Sequence, residues 1–354
     1  ALKSKEDLDQ LLAQLEGCEY LVDEVKKGSR KRRPYAPFTT STLQQSASRS
    51  LGFTSKRTMS AAQNLYEGVI LGEMGQTSLV SYIRTDSVRV APEAVTAARD
   101  LIESTYGKAY LPAKAPFYRN KSKAQDAHEA IRPSHFDLPP AKVKAFLSND
   151  QYRIYEMIWN RFLASQMEAA VYDKLGVDIL AGDNLFRARG ETLIFPGWLT
   201  LYGHREESKD ESPAESPADD NEPELVDIPP LVKGDILQLK ALVPEQKFTQ
   251  PPPRYTEASL IREMEELGIG RPSTYAPTIS TLFDRLYVER EGRQLKPTEL
   301  GTTVTGMLEA HFGKIVDTDF TADMESELDE IEAGDRDWVD VLEAFYRPFH
   351  EDVI

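Results

Sequence analysis

The sequence predicts a mixed α and β fold with several domains, in which a helical domain interrupts a β-rich one. The chain has 354 residues, which is more than one ordinary domain needs to bury a core. Runs with helical spacing fill residues 37–168, and short runs of alternating apolar and polar residues flank them. We therefore expect a β-rich domain of residues 1–36 and 169–254, an inserted helical domain of residues 37–168, and a mostly helical domain of residues 255–354.

The first elements follow from periodicity and capping residues. Apolar positions from Leu8 to Leu15 have helical spacing, and a short strand is expected around Tyr20 to Val25. The threonines and serine of residues 39–42 are good N-cap residues for a helix that ends at Gly52. A second helix is expected from about Ser55 to Glu67.

The elements that follow alternate between strand and helix. We expect a strand at residues 78–83, a helix from Pro92 to Tyr106 and another amphipathic helix around residues 152–170. Strands are expected at 174–180, 185–189 and 234–239, with a mobile acidic loop at 206–223. A helix from Thr256 should end at Gly268, and Pro272 should begin the next helix.

Composition and charge exclude several classes of protein. A single cysteine, Cys18, cannot form an intrachain disulfide or a multi-cysteine zinc site. No apolar run is long enough to span a bilayer, and the first residues have no signal core, so we expect a cytoplasmic protein with no membrane contact. The chain opens without Met, which suggests an excised fragment.

The charge is segregated along the chain. The net charge of -16 opposes binding to phosphate as a whole. However, residues 26–57 contain nine Lys or Arg and no acid, so this stretch is suited to meet phosphates unless it is a solvated linker. Residues 309–352 contain fifteen acids and three bases, and we expect these helices to face solvent or a missing partner domain.

The segment Ser81-Tyr82-Ile83-Arg84-Thr85-Asp86-Ser87 is the first candidate for chemistry. On a strand, Tyr82 and Arg84 would lie on the same face. A nearby cation can activate a phenol as a nucleophile and stabilise the charge of a phosphate. Taken alone, the segment is better explained by a tyrosine packed on a sheet, with Arg84 paired to Asp86.

Two further segments contain polar groups suited to phosphate. In Gln125-Asp126-Ala127-His128-Glu129-Ala130-Ile131-Arg132-Pro133, a helical turn would direct His128 and Arg132 the same way. In residues 254–276, Ser273 and Thr274 could contact phosphate at a helix N-terminus, and Tyr275 could stack on a base. A helix-turn-helix corner explains this last segment equally well.

Together, these stretches resemble the type IA DNA topoisomerases, and specifically the bacterial topoisomerase I branch. The matching text is Pro37-Phe38-Thr39-Thr40-Ser41-Thr42-Leu43-Gln44-Gln45, the helix with Gln63 and Tyr66-Glu67, the Tyr82 to Ser87 segment, Ala127 to Pro133, and Gly268 to Tyr275. Several long motifs in family order cover nearly the whole chain. Ser81 stands where family members often have Thr, and the connection from Gly68 to Ser78 is long.

The resemblance implies a role for each site residue. Tyr82 would form a covalent link to the 5′ phosphate of a cut DNA strand, Arg84 would steady that phosphate, and His128 would contact the strand. The family pattern implies that further residues line the cleavage site or strand groove, namely Gln63, Glu67, Thr85, Asp86, Arg132 and Thr274. Among these, Glu67 is expected to be catalytic, and the DNA-binding residues are expected to include Arg271, Ser273 and Tyr275 as well.

The resemblance also implies partners that this chain lacks. Family members begin with a nucleotidyl-transfer domain of the toprim type, whose acidic cluster binds Mg²⁺, and nothing before Thr39 resembles it. We therefore expect the metal outside this chain and no metal ligand within it. The expected partners are single-stranded DNA, negatively supercoiled duplex DNA and the missing toprim domain. The helical domain would be a mobile gate, the β-rich domain a hinge, and residues 255–354 part of the strand-binding base.

Other functions stay open at this point. Without the toprim domain, the isolated chain would act only as a module that binds single-stranded DNA, and we expect it to be inactive in relaxation. Topoisomerase III often has Pro where this sequence has Ile83, and reverse gyrase adds a helicase region that is not seen here. A catalytically dead paralogue is a further possibility, which the joint presence of Tyr82, Arg84 and His128 disfavours.

Overall fold

The computed structural model describes residues 4–120, 128–202 and 225–354. The predicted mobile loop at 206–223 and the residues Gln125, Asp126 and Ala127 lie outside these ranges. Within them, the mixed α and β fold is confirmed. The helices are α1 (Lys5–Leu15), α2 (Thr40–Leu51), α3 (Ser55–Glu67), α4 (Pro92–Tyr106), α5 (Pro140–Val143), α6 (Asn149–Ser165), α7 (Glu257–Leu267), α8 (Tyr275–Asp284), α9 (Glu299–Phe312), α10 (Thr318–Ala333) and α11 (Trp338–Val353).

The strands form one four-stranded sheet and two small hairpins. They are β1 (Tyr20–Arg32), β2 (Val69–Ile70), β3 (Gln76–Thr77), β4 (Ala170–Ala181), β5 (Asn184–Phe195), β6 (Ile236–Leu237), β7 (Val288–Glu291) and β8 (Gln294–Pro297). The large sheet has the order β5-β4-β1-β6 with antiparallel neighbours. The hairpins pair β2 with β3 and β7 with β8.

The chain divides into two compact units. The first contains residues 1–35, 102–114 and 166–250, and the second contains residues 36–101, 115–165 and 251–354. The first unit holds the large sheet, and the second holds α2, α3 and α6 to α11. The division into three domains at residues 36, 168 and 254 stays a prediction.

Capping residues explain why α2 begins and ends where predicted. The Thr39 hydroxyl accepts a hydrogen bond from the amide of Thr42, and the Thr42 hydroxyl accepts one from the amide of Thr39. This reciprocal pair satisfies N–H groups that have no partner within the helix. At the other end, Gly52 adopts a left-handed conformation with φ of 66°, which a glycine reaches without strain.

The sheet of the first unit is longer than the sequence indicated. β1 extends to Arg32, whereas the pattern predicted a strand only to Val25. Its later residues are basic, and they pair across the sheet with acids: Lys26 Nζ lies 2.8 Å from Asp178 Oδ2. The basic run of residues 26–57 therefore divides between β1 and the helices α2 and α3, and part of its charge is neutralised.

Three local predictions are wrong. Residues 78–83 do not form a strand, because Val80 makes only an isolated bridge to Pro133. His128 to Arg132 is not a helical turn, because Pro133 disfavours a helical conformation at the residue before it. Helix α8 begins at Tyr275 instead of Pro272, since Pro272 and the two residues after it form a turn.

Within the described residues, no helix is both long and apolar enough to cross a membrane.

Candidate functional site

The Tyr82 segment, defined here as Leu79–Ser87, lies in the second unit, and from Tyr82 onward its buried side chains alternate with exposed or half-buried ones. Ile83 and Thr85 are fully buried, whereas Tyr82 is 38% exposed and Arg84 is exposed. Although the segment is not a strand, this alternation directs Tyr82 and Arg84 to the same side. The juxtaposition that the sequence suggested is thus retained without a ladder of strand hydrogen bonds.

Side chains and isolated main-chain contacts hold the segment in place. Thr40, the first residue of α2, bonds to the main chain of Ile83 and Thr85. Ser81 Oγ donates to the Ala130 carbonyl at 2.8 Å and accepts from the Arg132 amide at 2.9 Å. These bonds join the Tyr82 segment to α2 on one side and to residues 130–132 on the other.

The Tyr82 ring contacts two other aromatic rings. Its centroid is 5.5 Å from that of Tyr66 at an interplanar angle of 67°, and 5.2 Å from that of His128 at 43°. Such edge and tilted contacts between aromatic rings are favourable and help to hold the ring in place. Tyr66 lies near the end of α3, and His128 precedes the residues that bond to Ser81.

A cavity of about 280 Å³ opens beside these residues. It brings together six of the predicted site residues with five others: Tyr82, Arg84, Asp86, His128, Arg271 and Ser273, with Pro272, Glu325, Leu328, Asp329 and Glu332. All eleven belong to the second unit. The cavity combines a phenol, an imidazole and guanidinium groups, which suits it to contact a phosphodiester.

The charges around the cavity are not balanced. The guanidinium groups of Arg84 and Arg271 share the lining with four carboxylates, those of Asp86, Glu325, Asp329 and Glu332. Arg271 is held by α10, because its guanidinium donates to Asp329 Oδ2 at 2.8 Å and to the Glu325 carbonyl at 3.0 Å. The net charge does not attract an anion, so a bound phosphate would depend on Arg84.

The α10 side of the cavity was not foreseen. Residues 309–352 were expected to face solvent or a missing domain, yet Glu325, Asp329 and Glu332 line this cavity. Their spacing of four and three residues shows that they share one helix face. The sequence contains that signal, but it does not indicate which surface the face meets.

Gln63 and Glu67 form a pair on α3. The Gln63 side-chain amide donates to Glu67 Oε1 at 2.5 Å, one helical turn away. Both residues flank Tyr66, whose ring contacts Tyr82. They therefore lie on the helix that supports the tyrosine, although they do not line the cavity itself.

The remaining predicted residues make contacts within the protein. Thr85 is 1% exposed, and its hydroxyl accepts from the Ser87 amide. Thr274 Oγ1 accepts from the Arg271 amide at 2.8 Å. Tyr275 packs with Ile261, Met264 and Ile279, and burial raises its pKa. The expected open face of Tyr275 for base stacking is wrong, because this ring belongs to a core.

Arg132 pairs with Glu129 instead of lining the cavity. Arg132 Nε donates to Glu129 Oε2 at 2.8 Å, and the Ala91 amide donates to the same oxygen at 3.3 Å. Burial raises the pKa of Glu129, but the Arg132 guanidinium and the amide outweigh it and hold that pKa below its ordinary value. The pair therefore fixes the chain beside His128.

No metal site is formed by the part of the chain that the structure describes. Nowhere in it do three His, Cys, Asp or Glu side chains lie close enough to hold an ion. The resemblance implies that Mg²⁺ binds in a domain outside this chain, and that expectation stays a prediction.

Comparison with known proteins identifies the family. A family model described as DNA topoisomerase matches residues 1–343. The DNA topoisomerase 1 of Xylella fastidiosa strain Temecula1 is 48% identical over 332 residues, which are 93% of this chain and 40% of that protein. The protein of strain 9a5c gives the same values.

A solved structure extends the likeness to the fold. Full-length topoisomerase I from Thermotoga maritima, in a monoclinic crystal form, has a TM-score of 0.80 and 36% identity. The match covers 99% of this chain and 54% of that one. The chain thus spans about 40% of the length of the curated relatives, and it belongs to the DNA topoisomerase family, in the bacterial type IA topoisomerase I branch.

Proposed function

We propose that this chain carries the nucleophile of an ATP-independent topoisomerase that cuts one DNA strand. The Tyr82 hydroxyl gives up its proton and its oxygen attacks a backbone phosphorus, so that a bond to the 5′ phosphate forms. The bond from that phosphorus to the 3′ oxygen of the other end breaks, and the 3′ oxygen takes up a proton and leaves as a hydroxyl. Attack by that 3′ oxygen on the phosphotyrosine reverses the step and reseals the strand. Because the phosphotyrosine bond conserves the free energy of the cleaved bond, no nucleotide is needed.

The cavity is the observation that supports this function most strongly. It combines the exposed Tyr82 side chain with Arg84 and His128 in a space of about 280 Å³. Phosphoryl transfer depends chiefly on alignment and on charge stabilisation. Arg84 would neutralise the non-bridging oxygens, and His128 would contact the strand.

The other predicted residues have supporting roles in this proposal. Asp86, Arg271 and Ser273 would line the path of the strand, with Thr274 fixing the Arg271 turn. Gln63 and Glu67 would support Tyr66 and reach the strand from α3. Thr85, Arg132 and Tyr275 would act from beneath the surface, because each makes its contacts within the protein.

The whole protein would need groups that this chain does not supply. In this proposal a toprim domain contributes Mg²⁺ and the acid that protonates the leaving 3′ oxygen. The substrates are single-stranded DNA and negatively supercoiled duplex DNA in the cytoplasm. Residues 37–168 would act as a gate, residues 1–36 and 169–254 as a hinge, and residues 255–354 as part of the base that binds the strand.

A covalent-trapping assay tests the proposal. The full-length gene product that contains this chain is mixed with a single-stranded oligonucleotide labelled at its 3′ end, and Mg²⁺ is present. The label should migrate with the protein after denaturation, and peptide mapping should locate it on Tyr82. Tyr82→Phe should abolish the adduct, because the ring remains but the attacking oxygen is lost.

Tyr66→Phe is the matched control, since it removes the hydroxyl of the neighbouring ring and should preserve the adduct. An adduct that persists in Tyr82→Phe would contradict the proposal. The same assay on the 354-residue chain separates cleavage from binding alone, because salt-sensitive binding without an adduct is the behaviour of a module.

A further inference from the structure

The N-terminal end of α2 belongs to a motif, Pro37 to Gln45, for which the family likeness suggested no role. Its second threonine, Thr40, is fully buried and lies against the Tyr82 segment. The Thr40 hydroxyl donates to the Ile83 carbonyl, with an oxygen-to-oxygen distance of 2.7 Å. The same hydroxyl accepts from the Thr85 amide at 2.8 Å, and it lies 3.0 Å from the Thr85 carbonyl.

The main chain of Thr40 adds another bond to the same segment. Its amide donates to the Thr85 carbonyl at 2.8 Å. Thr40 is the first residue of α2, where an amide has no partner within the helix and is free to bond elsewhere. The hydroxyl and the amide of one residue thus bond to the main chain on both sides of Arg84.

We propose that Thr40 is a positioning residue that holds Tyr82 and Arg84 in the geometry for attack on the phosphate. This proposal rests on the proposed function of Tyr82. Ile83 and Thr85 are buried and bonded to Thr40, so the side chains between and before them, Arg84 and Tyr82, are directed outward. A shift of the Ile83 carbonyl or the Thr85 amide would therefore move the side chains of both Tyr82 and Arg84.

Thr40 is important because residues 83–85 make no hydrogen-bonded pairing with a neighbouring strand. Residues 81–87 belong to no strand, so neighbouring strands do not set their register. A buried main-chain amide or carbonyl without a partner is costly, and the segment would rearrange to satisfy it. Ser81 fastens the other end, but it bonds to Ala130 and Arg132 and leaves residues 83–85 to Thr40.

Isosteric replacement tests this role. Thr40→Val keeps the shape of the side chain and removes the hydroxyl, whereas Thr40→Ser keeps the hydroxyl and removes a methyl group. Thr58→Val is the matched control. Thr58 is also fully buried, but its hydroxyl donates to the carbonyl of Thr54, the N-cap residue of α3, and makes no bond to the Tyr82 segment.

Three quantities are measured for each variant of the full-length gene product. The first is the single-turnover rate of adduct formation, the second is the affinity for the oligonucleotide, and the third is hydrogen exchange of the Thr85 amide. Thr40→Val should slow adduct formation about 10- to 100-fold and raise the exchange rate, with affinity changed less than about 3-fold. Thr40→Ser should restore most of the rate, and Thr58→Val should match the wild type.

The outcomes separate this proposal from the proposed function. If the wild type forms an adduct and Thr40→Val forms it equally fast, Thr40 is not a positioning residue. The same conclusion follows if Thr40→Ser is as slow as Thr40→Val, or if Thr58→Val slows the reaction to the same extent, since general destabilisation then explains the loss. If the wild type forms no adduct at Tyr82, the proposed function fails and the role of Thr40 fails with it.

Discussion

The large sheet and the Tyr82 segment satisfy their main-chain hydrogen bonds in different ways. In the sheet, β1 pairs with β4 from Tyr20 opposite Ala181 to Arg32 opposite Ala170. The main-chain amides and carbonyls of each strand therefore bond to those of the other. In the Tyr82 segment, the Thr40 hydroxyl bonds to the main chain of Ile83 and Thr85, and the Ser81 hydroxyl bonds to the main chain of Ala130 and Arg132 beside it. The sheet should therefore tolerate most changes of side chain, whereas the segment should depend on single polar groups.

The largest effect on stability is expected at a glycine of the first unit, which holds the large sheet. Gly197 has φ of 49°, and an added Cβ would lie 2.4 Å from the Glu168 carbonyl oxygen. Gly197→Ala should lower the free energy of unfolding by about 3 kcal/mol, from left-handed strain and overpacking. Urea unfolding followed by circular dichroism measures this change.

The control is Gly17→Ala, because Gly17 also has a positive φ but has nothing within 4 Å of its added Cβ. It should cost about 1 kcal/mol, from the backbone alone. Equal losses of stability at the two positions would show that the close approach of the Glu168 carbonyl adds nothing to the cost of the change at Gly197.

The next largest effect on stability is expected at a buried carboxylate in the second unit, which contains Tyr82. Glu257 is 5% exposed, and its Oε2 accepts from the amide and the hydroxyl of Ser55 while Arg290 pairs with Oε1. Glu257→Ala should lower the free energy of unfolding by about 2 kcal/mol, because it leaves buried donors without a partner. Chemical denaturation at neutral pH gives the value.

Glu289→Ala provides the comparison, since Glu289 and Lys296 form a pair that is about half exposed. Its loss should change the free energy of unfolding by less than about 1 kcal/mol. A Glu257→Ala variant as stable as Glu289→Ala would break the view that this unit depends on single polar side chains.

The smallest effect is expected at the pair beside His128, and it depends on pH. Glu129→Gln should lower the free energy of unfolding by about 1 kcal/mol at pH 7. The folded-state pKa of Glu129 lies below its ordinary value of 4.5, so its charge stabilises the fold above pH 4.5. As pH falls through the lower folded-state pKa, this contribution disappears.

Unfolding curves of the wild type and Glu129→Gln, taken from pH 7 to pH 3, should therefore converge at the acid end. A difference that grows as the pH falls would show that the carboxylate does not stabilise the fold through its charge.

Features that depend on residues close in sequence could be predicted, whereas features that depend on distant residues could not. Helix α2 was predicted with its Thr39 cap and its Gly52 stop, because both signals are local. The strand predicted at residues 78–83 is absent from the structure. The side chains nevertheless alternate in burial around Tyr82, since Ile83 and Thr85 are buried. Alternation indicates an extended chain with one buried face, but it does not show whether a partner strand is present.

The cavity shows the same limit. Tyr82, Arg84 and His128 were found because they lie in motifs of a known family, whereas Glu325, Asp329 and Glu332 lie in an acidic run that resembles any solvated helix. The pairing of Arg271 with Asp329 joins residues 58 positions apart. Only the contacts of α10 with the turn at Arg271 show that these acids line the same cavity as the tyrosine.

The pairing of β1 with β4 also bears on how the chain folds. β4 and β5 meet through a turn of two residues, Gly182 and Asp183, so their contacts close a very short loop. By contrast, the ion pair between Lys26 and Asp178 joins residues 152 positions apart. Closing a loop of that length costs more chain entropy, and contacts so distant in sequence slow folding. Half of this sheet can thus form locally, while the other half must wait for the ends of a long intervening segment to meet.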